Sequence, residues 1–193
     1  MRLLLSAFAP ELGPLAAAPP AGWTVATVGI GAVTAAAATA RLLAEQRPEA
    51  VLFLGTCGRY DARLALFECL WAGEAIATSV EELRGGAYRP GLEPTRWAAT
   101  LVGPWPGQAV AVPPAITSTL EGAALLGALA PAEHLELTGV FAACQAAGVP
   151  CGAALVVVND VGPSASAQWQ ANHAQGSQRL VAALKAAGWF GEA

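Results

Sequence analysis

With 193 residues, 55% of them hydrophobic and only 12% charged, the chain can bury one sizeable core and is expected to form a single domain over 1–193. A formal net charge of -4, an isoelectric point near 5.1 and ten scattered Lys and Arg exclude the basic stripe that a nucleic-acid backbone requires. Mean hydropathy is +0.49, yet Gly, Pro or charge interrupts each apolar run before the roughly 20 residues of a membrane-spanning helix, so no membrane partner is expected.

Apolar runs of strand length alternate with Ala-rich helical stretches, the pattern of an α/β domain with a largely buried sheet. Residues 1–9 hold one Arg and a short apolar run, but Pro10 and Glu11 follow without a polar cleavage region; a first strand over 2–7 is expected rather than a signal peptide. A strand over 23–28, a helix over 32–45 and strands over 50–54, 74–79 and 108–112 come next. Between the last two, 80–107 is rich in Gly, Pro, Arg and Trp without a clear period, which predicts a long excursion. The aromatic stretch from Trp97 to Trp105 would suit an exposed interface or a pocket lid. A helix over 119–129, a strand over 134–137, a helix over 138–147, a strand over 151–158 and a helix over 166–187 complete the chain, with Gly148 and Pro150 as stop signals. Cys57, Cys69, Cys144 and Cys151 lack C-x-x-C spacing, so neither a zinc site nor a redox pair is signalled, and reduced thiols in the cytoplasm fit best. His134 and His173 are too isolated for metal ligation and read as solvated or hydrogen-bonded imidazoles.

Five places could carry chemistry. Around Gly31, in Val28-Gly29-Ile30-Gly31-Ala32, a strand passes through glycines into a helix, which presents amides to a ligand or simply makes a tight turn. It fails as a dinucleotide fingerprint, because the third Gly is absent and no acidic residue closes the next strand. Gly55-Thr56-Cys57-Gly58 opens from a buried strand and could cradle an anion or a ribose hydroxyl, or be structural. Glu136, between Leu135 and Leu137, is a carboxylate among apolar residues: two adjacent sugar hydroxyls would satisfy it, as would a helix N-terminus. Asn159-Asp160 ends a hydrophobic strand, where polar groups meet substrates in α/β sheets and where turns also form. Glu11 follows the first strand and could orient a water as general base, or be an ordinary helix-start acid.

Taken together and in this order, these pieces resemble the nucleoside phosphorylase superfamily, above all its hydrolytic branch of methylthioadenosine/S-adenosylhomocysteine nucleosidases and futalosine hydrolases. The resemblance runs from the first strand with Glu11 through the Gly31 turn, the Gly55 turn, Leu135-Glu136 and the Asn159 strand end, and is weakest over 60–107. It implies a three-layer domain with a central mixed, twisted sheet flanked by helices. It also implies that Glu11 positions the attacking water, that Leu135-Glu136 stands for the family's ribose-binding Met-Glu pair, and that Asn159 or Asp160 serves the leaving base. Thr56, Gly55 and Gly31 would complete the substrate site. Asn159-Asp160-Val161-Gly162-Pro163 followed by Trp169 is most similar to the Asn-containing strand end of futalosine hydrolases, which act in menaquinone biosynthesis.

The implied reaction is cleavage of the N-glycosidic bond of a purine-type nucleoside by water, without metal or organic cofactor, in a cytoplasmic homodimer or higher homo-oligomer. Phosphorolysis is the alternative: Ser164-Ala165-Ser166 replaces the Arg usual after the last strand, while Arg59, Arg84 or Arg89 could supply an anion site. The chain is short for the family, and Thr56-Cys57 departs from its small-residue turn; that turn and Asn159 leave a non-catalytic nucleoside-binding protein as the reading from another class.

Overall fold

A computed structural model describes residues 1–91 and 95–190. Its sheet contains β1 (Arg2–Ser6), β2 (Trp23–Thr27), β3 (Val51–Arg59), β4 (Cys69–Ala77), β5 (Arg96–Ala98), β6 (Gly107–Val112), β7 (Ala132–Glu133) and β8 (Cys151–Asp160). The helices are α1 (Ala32–Gln46), α2 (Val80–Arg84), α3 (Leu120–Gly127), α4 (Leu137–Ala147) and α5 (Ala165–Ala186), with a 3-10 helix over Ala9–Ala16. The sheet is mixed: β1, β2, β3 and β8 run parallel, whereas β4 pairs antiparallel with β8 and parallel with β6. Because β7 joins β6 to the end of β3, the pairings β3-β8-β4-β6-β7 close on themselves, and the sheet curls into a small barrel at one end.

The period-2 side-chain alternation splits the core in two. Leu3, Leu5, Phe53, Leu155 and Val157 pack with Val140 and Phe141 under α1 and α4, while Leu4, Leu52, Leu54, Val156 and Val158 pack against Leu12, Leu180 and Leu184 on the α5 side. Each interior strand is therefore apolar on both faces, which is why its residues read as unbroken hydrophobic runs. Helices α1 and α4 touch backbone to backbone at Gly139, where an added Cβ would overlap the Ala32 carbonyl.

Three expectations need correction. The strand expected over 134–137 ends at Glu133, because β7 pairs with β3 for only two residues; His134, Leu135 and Glu136 form the turn into α4. The stretch 80–107, expected as a long excursion without a clear period, contains α2 and β5, and its residues 92–94 lie outside the described residues. Trp97 and Trp105, expected to be exposed, are partly buried against the two core clusters and do not line the cavity described below.

Candidate active site

Strand β3 outruns β1. It pairs with β1 only over Val51–Phe53, and its far half is flanked by β8 on one side and β7 on the other. The space beyond the end of β1 is occupied by the 3-10 helix, and between them opens a cavity of about 360 Å³. Its walls come from Phe8 and Glu11, from Thr56 and Gly58 on β3, from the turn 133–136, from Asn159 on β8 and from Trp169 on α5. The carboxyl ends of parallel strands thus converge on it, as α/β geometry favours.

Glu11 is 3% exposed and faces inward. One carboxylate oxygen accepts from both the backbone N–H and the hydroxyl of Thr56, each at 2.8 Å, and the other accepts from Ala7 N–H at 3.2 Å. Burial raises its pKa from 4.5 to about 7, with a further push from the charge of Glu136, against the lowering effect of the Thr56 bonds. The Thr56 hydroxyl is held in turn by Trp169 Nε1–H at 3.1 Å, so indole, hydroxyl and carboxylate form one chain.

Glu136 is equally buried and sits at the N-cap of α4, but its side chain does not cap that helix. One oxygen instead accepts from Gly31 N–H at 2.8 Å, across a turn where φ of 87° at Gly31 requires glycine. Its other oxygen lies 3.1 Å from His134 Nδ1, and that same Nδ1 is 3.2 Å from the Glu136 backbone N–H. Nδ1 cannot serve both contacts, because it is unprotonated as an acceptor for the amide and would pair with the carboxylate only as a donor. Burial lowers the His134 pKa, with Glu136 pulling the other way. The neutral ring that accepts the amide is therefore favoured, leaving the second Glu136 oxygen free for a ligand.

At the end of β8 the register with β3 steps from Cys57↔Val157 to Gly58↔Asn159, leaving Val158 as a bulge. The bulge sets the two polar residues on different paths. Asn159 lines the cavity, its Nδ2–H donating to Asp160 O at 3.0 Å. Asp160 is absent from the lining: its carboxylate accepts from Arg59 Nε at 2.7 Å and Gln168 Nε2 at 3.2 Å, and the Arg59 bond holds its pKa below the ordinary value.

The profile of the Phosphorylase superfamily matches residues 22–187. The chain belongs to the phosphorylase superfamily. No curated protein sequence matches it. Among solved structures, the futalosine hydrolase of Helicobacter pylori strain 26695 superposes with a TM-score of 0.81 at 17% identity, covering 96% of each chain. The 5'-methylthioadenosine/S-adenosylhomocysteine nucleosidase of the same organism, with butyl-thio-DADMe-Immucillin-A, gives 0.82 at 18% identity, again over 96% of each chain. The corresponding nucleosidase of Colwellia psychrerythraea 34H, in complex with adenine, gives 0.79 at 16% identity, over 98% of this chain and 95% of the other. At these identities the likeness is one of fold.

On this superfamily scaffold the remaining sequence candidates take distinct places. Leu135 lines the cavity beside Glu136. Gly31 and Gly55 do not line it; Gly31 lends its amide to Glu136, and Gly55 makes room for His134, whose Nε2 would stand 2.8 Å from an added Cβ. Burial pushes the Cys57 thiol up, which disfavours the nucleophilic thiolate. Arg59, Arg84 and Arg89 are engaged by Asp160, by Glu81 and Glu121, and by Glu82 respectively. Among the described residues, no Lys or Arg lines the cavity.

The cavity positions of Glu133, Phe8 and Trp169 were not singled out from the sequence. Glu133 was hidden in a stretch taken for the lead-in to a strand. Trp169 reads as core on a long helix, and only the tertiary fold brings its indole to Thr56.

Proposed function

We propose that the chain is an N-ribosyl hydrolase that cleaves the N-glycosidic bond of purine-type nucleosides. The observation that carries this is the convergence of two buried carboxylates, Glu11 and Glu136, with Asn159 in one cavity. The free oxygen of Glu136 is disposed to accept ribose hydroxyls. Glu11, with a pKa of about 7, is poised near neutrality to take a proton from water. As the bond from the sugar carbon to the base nitrogen breaks, the base leaves with the electron pair and the ribosyl group becomes cationic. The negative charge of the cavity stabilises that cation, as carboxylates do for other oxocarbenium-like transition states. Water then bonds to the sugar carbon and gives its proton to Glu11. Asn159 hydrogen-bonds the departing base, whose proton comes from solvent because a carboxamide is no acid.

A cavity lined by carboxylates and by no cationic side chain among the described residues supports hydrolysis over phosphorolysis. Within the hydrolases, the Asn159-Asp160-Val161-Gly162-Pro163 strand end supports futalosine, and with it a place in menaquinone biosynthesis, ahead of methylthioadenosine. A cytoplasmic homodimer is the proposed state. The four free cysteines agree with the compartment, and the exposed Ile30 and Ile116 at the cavity's edge agree with a partner subunit there.

The test is base release from futalosine, methylthioadenosine and inosine, each with and without phosphate, with Glu136→Gln as control. Phosphate-independent release that the variant loses is expected. Phosphate-dependent release would establish a phosphorylase instead, and binding without release from any of the three would establish a nucleoside sensor.

A further inference from the structure

Trp169 belongs to α5, yet its indole reaches across to the carboxylate of the 3-10 helix by way of β3. Its neighbours fasten α5 to the end of β8: Gln168 accepts from Asp160 N–H at 2.6 Å and Asn172 Nδ2–H donates to Val158 O at 2.8 Å. His173, one helical turn on, lies stacked on the indole with ring centroids 4.4 Å apart and planes within 13°. Phe8, at the start of the 3-10 helix, meets the same ring at 5.6 Å. A ring held between two others has little freedom to turn, and its Nε1–H is aimed at the Thr56 hydroxyl at 3.1 Å.

That bond acts on the next one. A hydroxyl that accepts a hydrogen bond gives a stronger one, and the indole N–H closes a direction in which the Thr56 proton could otherwise turn away. The proton goes to Glu11 Oε1, 2.8 Å away, which also accepts Thr56 N–H at 2.8 Å. Two donors fill both lone pairs of Oε1. Among the described residues Oε2 accepts only Ala7 N–H, at 3.2 Å, and keeps a lone pair.

Resting on Glu11 as the base of the reaction proposed above, we infer that Trp169 is a positioning residue: through the Thr56 hydroxyl, its indole N–H holds Oε1 of Glu11 as an acceptor and reserves Oε2 for the proton of the attacking water. In that step an O–H bond of water breaks, the proton bonds to Oε2, and the oxygen's electron pair bonds to the sugar carbon. Without the indole N–H the hydroxyl can reverse and accept from a protonated Oε1, which stabilises protonated Glu11 and raises its pKa. The titratable groups around Glu11 are Glu133, His134 and Glu136 on the turn into α4, Cys57 on β3, and His173 behind the indole. Glu136 raises the Glu11 pKa through its charge, and none of the substitutions below touches it.

The test is the pH titration of the Glu11 carboxyl carbon by NMR on the full chain, its signal assigned by absence in Glu11→Gln, together with kcat/KM against pH for base release. Trp169→Phe keeps a ring between Phe8 and His173 and removes the donor. It is expected to raise the Glu11 midpoint above about 7 by roughly half a pH unit or more, and to carry the kinetic profile with it. Thr56→Val is expected to raise the midpoint by itself, and Trp169→Phe to add nothing on that background, whereas on Thr56→Ser, which keeps the hydroxyl, it still adds its rise. An unchanged midpoint in natively folded Trp169→Phe, or an equal rise with and without the Thr56 hydroxyl, overturns the inference. Should Trp169→Phe fail to fold, benzothienylalanine at position 169, a ring of the same shape without the N–H, carries the same expectations. The expected NMR shifts without turnover of any nucleoside uphold the hold on Glu11 while refuting the hydrolase; turnover with an unmoved midpoint refutes the inference alone.

Discussion

Replacing Glu11 by Gln removes the group whose pKa the fold perturbs most usefully, and the consequences can be worked out in sign and size. The native pKa of about 7 stands above the ordinary 4.5 because the carboxylate is 3% exposed, so folding favours the protonated form. The unfolded chain releases that proton first. The stability contributed by protonated Glu11 is thus fully present below 4.5 and is lost as pH rises through about 7. At about 1.4 kcal/mol per pKa unit, the loss between about pH 4.5 and about pH 8 is about 3 kcal/mol. Glutamine does not titrate. It keeps an acceptor for Thr56 but sets an NH₂ against the Ala7 N–H, a fixed cost of about 1–3 kcal/mol that does not depend on pH. The stability difference between Glu11→Gln and wild type should therefore move in the variant's favour by about 3 kcal/mol across that range, whatever its starting value. Denaturant unfolding of both proteins at the two ends of the range measures it, since other titrating groups cancel in the difference. A difference that stays constant with pH would show that Glu11 is not the buried, uphill carboxylate described here. In the same series wild-type kcat/KM should rise with pH through about 7, and the variant should lose about 10²–10⁴-fold in kcat.

The other predictions concern the strand end and the helix pair. Asn159→Ala should lower kcat by about 10²-fold by removing the partner of the departing base, whereas Asp160→Asn should leave turnover within a few fold, at about 1 kcal/mol or less for the half-exposed Arg59 pair; equal losses in steady-state assays would contradict the assignment. Gly139→Ala should destabilise by about 3 kcal/mol, seen as a lower denaturant midpoint at unchanged slope, because the new Cβ would stand 2.8 Å from the Ala32 carbonyl carbon and 3.0 Å from Ala36 N.

Much of the site was legible in the chain because its residues sit at the ends of strongly patterned elements. Glu11, Thr56, Leu135, Glu136 and Asn159 each follow or close an apolar run, and all five line the cavity. The choice between Asn159 and Asp160 was not legible. Adjacent residues differ only by which way a bulge at Val158 turns them, and a bulge is a property of the β3–β8 pairing. The same holds for Glu133 and Trp169, whose partners Tyr60 and Thr56 are 73 and 113 residues away in sequence.

By itself the sequence determined the α/β class, because fully buried parallel strands need unbroken apolar runs and their connecting helices need a 3.6-residue period, both local properties. It also determined which residue types were available to do chemistry. Only the tertiary structure decided that β7 closes the sheet into a barrel, that Glu136 binds the Gly31 amide instead of capping its own helix, and that Glu133 and Asn159 face one another across Gly58. Those are contacts between segments far apart in the chain. Their geometry depends on register and strand length, which hydrophobic pattern alone leaves free.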